Sequence, residues 1–306
     1  MTTTVQLVGG PTALLDLGGV RLLTDPTFDP PGDHPVGRMG TPLIGRLVAA
    51  GHDVVATDIL DRRAVVEKAG ARWVSDVAGC DVVLTLLPGN AELADCSPVD
   101  CRLWIDLASG SYEVGQSCAR RGVTYLDAPV GGGVPAMREG AITLYVGGPA
   151  EALESATPLL RSFASMIHHV GANGTGYLAK LLINLQWFGH ALLATESLLL
   201  AQRHGLSPDR LRALLLGSAG DSAFAARHLP ALLAGDYLRD FGLDRCLEEL
   251  ESVERAAEAA GTPHALTSLV AELHRSALAR FGPVEGELMG PALLEDQAGF
   301  WLSDAD

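Results

Sequence analysis

The stretch Gly174-Thr-Gly-Tyr-Leu-Ala-Lys-Leu-Leu-Ile-Asn184 divides the chain. Before it, strand and helix patterns alternate; after it, the strand patterns stop. From Tyr177 to about His204 there is no proline and a single glycine, Gly189. Ala, Leu and Ile recur on nearly every face, the pattern of a helix buried all round. Lys180 and Asn184 interrupt that run. Residues four apart on a helix share a side, one turn from each other. An ammonium in apolar surroundings is costly unless it is paired or used. Lys180 is therefore a candidate functional group, set against the alternative that it snorkels to solvent and that Asn184 is a packing amide.

Upstream, from Gly37 onward, the pattern predicts a helix over Thr41–Ala50, a strand over Asp53–Thr57 and a helix over Asp61–Ala69. Strands at Arg72–Val74, Asp81–Leu86 and Leu103–Asp106, the helix Tyr112–Arg121 and the strand Val123–Leu126 continue it. A helix at Ala150–Arg161 lies between later strands at Ala141–Val146 and Met166–Val170. Such alternation implies βαβ units, hence an α/β fold with a Rossmann-type, doubly wound, mainly parallel sheet. Downstream, helices at Tyr177–His204, Ser207–Leu215, Ser222–Ala226, Asp244–Ala260, His264–Phe281 and Gly290–Gly299 predict an all-helical second domain. The expected division is an extension over residues 1–36, a dinucleotide-binding domain over 37–172, and a helical substrate and dimerisation domain over 173–306.

A Rossmann fold holds pyrophosphate where its first strand passes through G-x-G-x-x-G into a helix. Gly37-Arg38-Met39-Gly40 supplies the second and third glycines, with Pro35 at the first position. Asp58 ends the next strand about 20 residues on, where an acid takes the ribose hydroxyls. That favours NAD, while Arg62 and Arg63 keep NADP open. Leu87-Pro88 ends a strand at the same edge, and a proline that simply stops a strand explains part of that signal.

Residues 1–36 differ in style. Val5–Val8, Thr12–Leu17 and Val20–Leu23 read as short strands separated by glycine pairs, a hairpin meander followed by the loop Asp25–Pro35. This stretch resembles the opening hairpins of metallo-β-lactamase-fold hydrolases. That family's H-x-H-x-D-H zinc run is missing, and the adjacent His168-His169 point opposite ways on a strand, so no metal site is expected.

The formal charge of −15 argues against nucleic acid or an anionic membrane as partner. Five cysteines without a C-x-x-C pair read as reduced, packed thiols of a cytoplasmic protein. Lys180, Asn184, Gln186, His190 and Glu196 make the long apolar helix a poor membrane span.

Together, several collinear motifs resemble the β-hydroxyacid dehydrogenase family, typified by 3-hydroxyisobutyrate dehydrogenase, over residues about 37–300. They are G-R-M-G-T-P-L at 37–43, A-G-H-D-V-V at 50–55, D-V-V-L-T-L-L-P at 81–88, D-A-P-V-G-G-G at 127–133, G-T-G-Y-L-A-K-L-L-I-N at 174–184 and T-E-S-L-L-L-A at 195–201. The resemblance implies hydride exchange between nicotinamide and a small hydroxy or oxo compound. It also implies a second domain like the C-terminal part of 6-phosphogluconate dehydrogenase and a homodimer or homotetramer. In it, Lys180 matches the general acid–base, a role that suits a lysine whose pKa desolvation has lowered, and Asn184 the residue that aligns lysine and substrate. Gly132 and Gly133 offer backbone N–H groups to a substrate carboxylate, and Ser109 contacts the cofactor. The chain departs from the pattern in three places. Residues 1–36 replace the first strand and first glycine; Gly131 stands where the family has a serine; Glu248-Glu249-Leu250 stands for K-D-L. Losing a hydroxyl and a cation from a carboxylate pocket keeps an imine reductase-like enzyme in view as an alternative. The damaged fingerprint likewise keeps in view a non-catalytic, cofactor-poor dimeric relative.

Overall fold

The computed structural model describes residues 20–24, 39–58, 61–74, 80–87, 89–96, 101–239 and 241–304. The predicted strands Val5–Val8 and Thr12–Leu17, and the loop Asp25–Pro35, lie outside them. The chain divides into two compact units, residues 1–180 and 181–306.

The first unit is built on one sheet, nine-stranded among the described residues, in the order β3-β2-β1-β4-β5-β6-β8-β7, with β9 also pairing to β8. The strands are β1 (Val20–Thr24), β2 (Val55–Thr57), β3 (Arg72–Trp73), β4 (Cys80–Leu86), β5 (Cys101–Asp106), β6 (Thr124–Asp127), β7 (Val130–Gly131), β8 (Ile142–Gly147) and β9 (Ala164–Gly171). The run from β3 to β6 is wholly parallel, and β8 joins it antiparallel through Asp127↔Gly147.

Val20–Thr24, the last strand of the expected meander, stands in as the first strand of the parallel sheet; among the described residues nothing supports the likeness to a metallo-β-lactamase opening. Val20–Thr24 lies in the sheet centre, parallel to β2 through Leu22↔Ala56 and to β4 through Leu22↔Leu84. Both edges of the strand are thereby taken, so it cannot also serve as the arm of an antiparallel hairpin. The segment supplies the central strand of a dinucleotide-type sheet.

Alternation along the strands sends side chains to two separate cores. Val82, Leu84, Leu103, Ile105 and Leu126 pack on one face with Leu43 and Leu47 of helix α1 (Gly40–Ala49) and Leu153 and Leu160 of α6 (Ala150–Leu160). Val83, Trp104 and Tyr125 pack on the other face with Leu93 of α3 (Asn90–Asp95) and Cys118 of α4 (Tyr112–Ala119). Burial on both faces is why these strands read as continuous apolar runs. Helix α2 (Arg63–Lys68) follows β2 and α5 (Gly133–Glu139) follows β7. The sequence pattern predicts no element at α3, β7 or α5, which span only 6, 2 and 7 residues.

Helix α7 (Thr175–Arg203) begins in the first unit and continues through the second. The second unit adds α8 (Pro208–Leu215), α9 (Ala223–Arg227), α10 (Leu229–Leu233), α11 (Leu243–Ala260), α12 (Ala265–Phe281), α13 (Met289–Ala298) and a closing 3-10 turn. Phe188, Leu192, Leu198, Phe224, Cys246, Leu250 and Ala271 form its core. Ser207 caps α8, its hydroxyl accepting from the Arg210 N–H at 3.3 Å, with Pro208 in the first turn.

Helix α7 is not buried all round. Leu182 and Ile183 are about half exposed, and Leu193 and Leu200 are 63% and 62% exposed. With Gln186, His190 and Glu196 they form one open stripe at helical spacing, part apolar and part polar. No helix of the described residues is long and apolar enough to cross a membrane.

Candidate active site

Parallel strands β2, β1, β4, β5 and β6 end at one edge of the sheet, and the strand order reverses between β1 and β4. Ligands of open α/β sheets sit in the crevice at such a reversal, outside the carboxyl ends of the strands. Helix α1 starts beside it, with Met39 at the N-cap position and Gly40 as its first residue. No side chain caps this helix and its first turn carries no acid. Its leading N–H groups and positive dipole end are thus suited to an anionic ligand. Asp58 follows β2, buried Leu87 follows β4, and half-buried Ser109 lies in the loop after β5. Met39, Gly40, Asp58, Leu87 and Ser109 therefore share one edge. Gly37, Arg38 and Pro88 lie outside the described residues. The described residues fit a dinucleotide: an uncapped helix start at the switch point, and a carboxylate at the end of the neighbouring strand.

Two buried carboxylates stand at the same edge. Asp127, at the end of β6, is fully buried. Its Oδ1 accepts from the Gly174 N–H at 2.8 Å, and its Oδ2 from the N–H groups of Gly176 at 2.8 Å and Tyr177 at 3.2 Å. Burial pushes its carboxyl up to about 6, against the downward pull of those donors. Asp106, at the end of β5, accepts from the Tyr177 hydroxyl at 2.6 Å, from the Ala108 N–H at 3.0 Å and from the Thr85 hydroxyl. Complete burial raises it to about 7, again opposed by its donors. The Trp104 indole N–H in turn donates to Thr85 Oγ1 at 2.9 Å, and the Tyr125 and Tyr177 hydroxyls are bonded to each other.

Glycines let the start of α7 approach this edge. A Cβ at Gly174 would lie 2.7 Å from the Tyr112 carbonyl oxygen, and one at Gly176 would lie 2.7 Å from Asp127 Oδ2. Lys180 follows Tyr177 by three residues and is half-buried. Asn184 lies one turn further, and its Nδ2 donates to Glu249 Oε2 at 2.6 Å, a carboxylate only 6% exposed on α11. Glu248 accepts from Arg245 at 2.9 Å, so this acid carries its own counter-ion on the same helix. Gly131 ends β7; Gly132 caps α5 with φ +108°, and Gly133 has φ +63°. Both are exposed.

The motifs do not single out Asp106, Thr85 or Tyr177 as functional groups, and D-A-P-V-G-G-G sets Asp127 before a glycine turn rather than beside Gly174. Asp127 instead braces the turn at Gly174–Tyr177, some fifty residues on. The available signal was an aspartate closing each of two apolar strands. Among the described residues no cluster could hold a metal ion. His168 stacks on Tyr145, and His169 Nε2 bonds the Gly148 carbonyl at 2.8 Å.

Comparison with known proteins agrees with this geometry. The model for the NAD-binding domain of 6-phosphogluconate dehydrogenase matches residues 36–171. The model for the NAD-binding region of NADP-dependent 3-hydroxyisobutyrate dehydrogenase matches residues 174–288. Among similar proteins, 3-hydroxyisobutyrate dehydrogenase of Pseudomonas aeruginosa is 30% identical over 211 residues, covering 60% of this chain and 68% of that protein. L-threonate dehydrogenase of Cupriavidus necator is 31% identical over 239 residues, covering 71% and 80%. The solved structure of Mycobacterium tuberculosis 3-hydroxyisobutyrate dehydrogenase with L-serine has a TM-score of 0.72 at 26% identity, covering 85% and 96%.

Proposed function

Since this chain belongs to the 3-hydroxyisobutyrate dehydrogenase-like family of NAD(P)-dependent oxidoreductases, we propose that it oxidises a small hydroxyacid with Lys180 as general acid–base. The observation that carries this is the polar pair on α7: Lys180, and one turn on Asn184, whose amide is oriented by Glu249 at 2.6 Å. Bound nicotinamide supplies the hydride acceptor. The amine of Lys180 takes the proton from the substrate hydroxyl as the C–O bond becomes a carbonyl, and returns it in the reverse direction. Asn184 keeps lysine and hydroxyl in line. The N–H groups of Gly132 and Gly133 meet the substrate carboxylate, with Gly131 leaving room beside them. Met39, Gly40, Asp58, Leu87 and Ser109 would hold the nucleotide.

Asp58 supports NAD over NADP, since a carboxylate accepts from ribose hydroxyls and repels a 2′-phosphate. The grounds for an imine substrate are Gly131 and the charge of Glu248. Pairing of Glu248 with Arg245 offsets that charge, and the hydroxyacid reading is preferred. The open stripe of α7 supports a homodimer. Buried thiols at Cys96, Cys118 and Cys246 support a reducing, cytoplasmic setting.

The test is turnover of 3-hydroxyisobutyrate, L-threonate and L-serine with NAD+ and with NADP+, beside reduction of a cyclic imine with the reduced nucleotides. Hydroxyacid oxidation is expected to run faster with NAD+. Lys180→Ala should lower kcat by roughly 100- to 10,000-fold while NADH fluorescence titration still saturates. A fully active Lys180→Ala variant, or turnover of the imine alone, would overturn the proposal.

A further inference from the structure

The cap of α7 comes from another part of the chain. Helices hold their first N–H groups with a side-chain oxygen at the N-cap. At this helix the N-cap position is Gly174, which has none. The carboxylate of Asp127 fills the role instead, taking three N–H groups of the opening turn, and its charge faces the positive end of a 29-residue helix. The tie has no slack. A Cβ on Gly147 would come 2.6 Å from Asp127 Oδ2, and one on Gly115 would come 2.8 Å from the Gly174 Cα. Asn173, just before the turn, donates its Nδ2 to the Tyr125 carbonyl at 2.7 Å, and Gln116 donates to the Asn173 carbonyl. A second anchor follows three residues into the helix, where the Tyr177 hydroxyl donates to Asp106. Asp106 and Asp127 sit directly opposite each other in the ladder of β5 and β6. One carboxylate thus sets how far α7 slides along its axis, and the other resists its rotation about that axis.

We infer that Asp127 and Asp106 are positioning residues that set the depth and phase of α7 so that Lys180, one turn beyond Tyr177, is aimed at its substrate. Neither carboxylate exchanges a proton with the substrate. The inference rests on the general acid–base reading of Lys180. Two rigid strand ends, rather than a loop, thereby locate the base, and such precision matters because a displacement of about 1 Å can cost up to roughly 100-fold in rate.

The experiment compares Asp127→Asn, Tyr177→Phe and Lys180→Ala in the full chain, using whichever hydroxyacid the wild type turns over fastest. Asp127→Asn keeps the volume but loses an acceptor facing the helix start. It is expected to release amide hydrogen-exchange protection at Gly174–Lys180 and to lower kcat by roughly ten- to a hundredfold. NADH affinity should stay within about twofold. Tyr177→Phe, which keeps the ring packing, should shift the same quantities in the same direction by less. A general loss of structure would lower nucleotide affinity along with kcat, and that result overturns the inference. So does an unchanged kcat per folded molecule in Asp127→Asn or, should that variant not fold, in Tyr177→Phe. Wild-type turnover by Lys180→Ala would instead refute the base assignment, whereas unaltered exchange in Asp127→Asn would refute the cap.

Discussion

The three glycines Gly131, Gly132 and Gly133 look alike in the sequence and differ in what they tolerate. Gly132 has φ +108°, and a Cβ there would lie 2.6 Å from that of Ala136. Gly133 has φ +63° with only distant neighbours. Gly131 lies in the strand without positive φ, and its Cβ would sit 3.4 Å from Tyr145 Cε2, a contact a small shift accommodates. Gly131→Ser is therefore expected to fold with stability within about 0.5 kcal/mol of wild type. It should lower the KM for 3-hydroxyisobutyrate by roughly tenfold, the value of one hydrogen bond to a carboxylate. Gly132→Ser should cost about 1–3 kcal/mol from its left-handed backbone. Steady-state kinetics and urea titration check both. A serine at 131 that leaves KM unchanged would show that the carboxylate lies elsewhere. Lys180 and Asn184 were legible as residues because polar groups stand out in an apolar run. Their partners were not, because Glu249 is sixty-five residues away and no local pattern links it to Asn184.

At the level of elements, α7 was legible in extent and misleading in burial. A helix apolar on nearly every face suggests burial all round, yet Leu193 and Leu200 are largely exposed. Composition cannot distinguish a side that faces its own core from a side that faces another chain, since both remove the same apolar area from water. If the stripe is covered by a second copy, Leu193→Glu with Leu200→Glu should convert a dimer to a monomer in light scattering, because buried unpaired carboxylates oppose association. A wild-type protein already monomeric at micromolar concentration would refute this. The first strand shows the complementary case. Val20–Thr24 was legible as a strand from its β-branched and apolar run, but its partners were not. Parallel pairing with β2 and β4 depends on chain tens of residues away.

In the whole molecule, buried ionisable groups pull stability in opposite directions with pH. His274 lies wholly buried in the helical unit, its Nδ1 bonded to the Val270 carbonyl at 2.8 Å and its Nε2 without a partner. Burial lowers its pKa from 6.5 to about 4. The unfolded chain binds that proton first, so stability falls as pH drops from 6.5 toward 4, by about 3 kcal/mol in all. Asp106 has the opposite sign. Its folded pKa is about 7 against 3.8, so the folded chain holds the proton and stability falls as pH rises through 7. In urea titrations from about pH 4 to about pH 8, His274→Leu should flatten the acid loss, and Asp106→Asn the loss toward neutrality. Unchanged slopes in both variants would refute these assignments. The sequence by itself determined the alternation of strands and helices, the switch to helices near Gly174, and the polar pair on α7, since these rest on periodicity, turn residues and local cost. Only the tertiary structure decided which strand stands at the sheet centre, which side of α7 is open, and which carboxylates hold its first turn. Each of those depends on residues distant in the chain meeting at hydrogen-bond distance, and the energy of such a meeting leaves no periodic trace in the sequence.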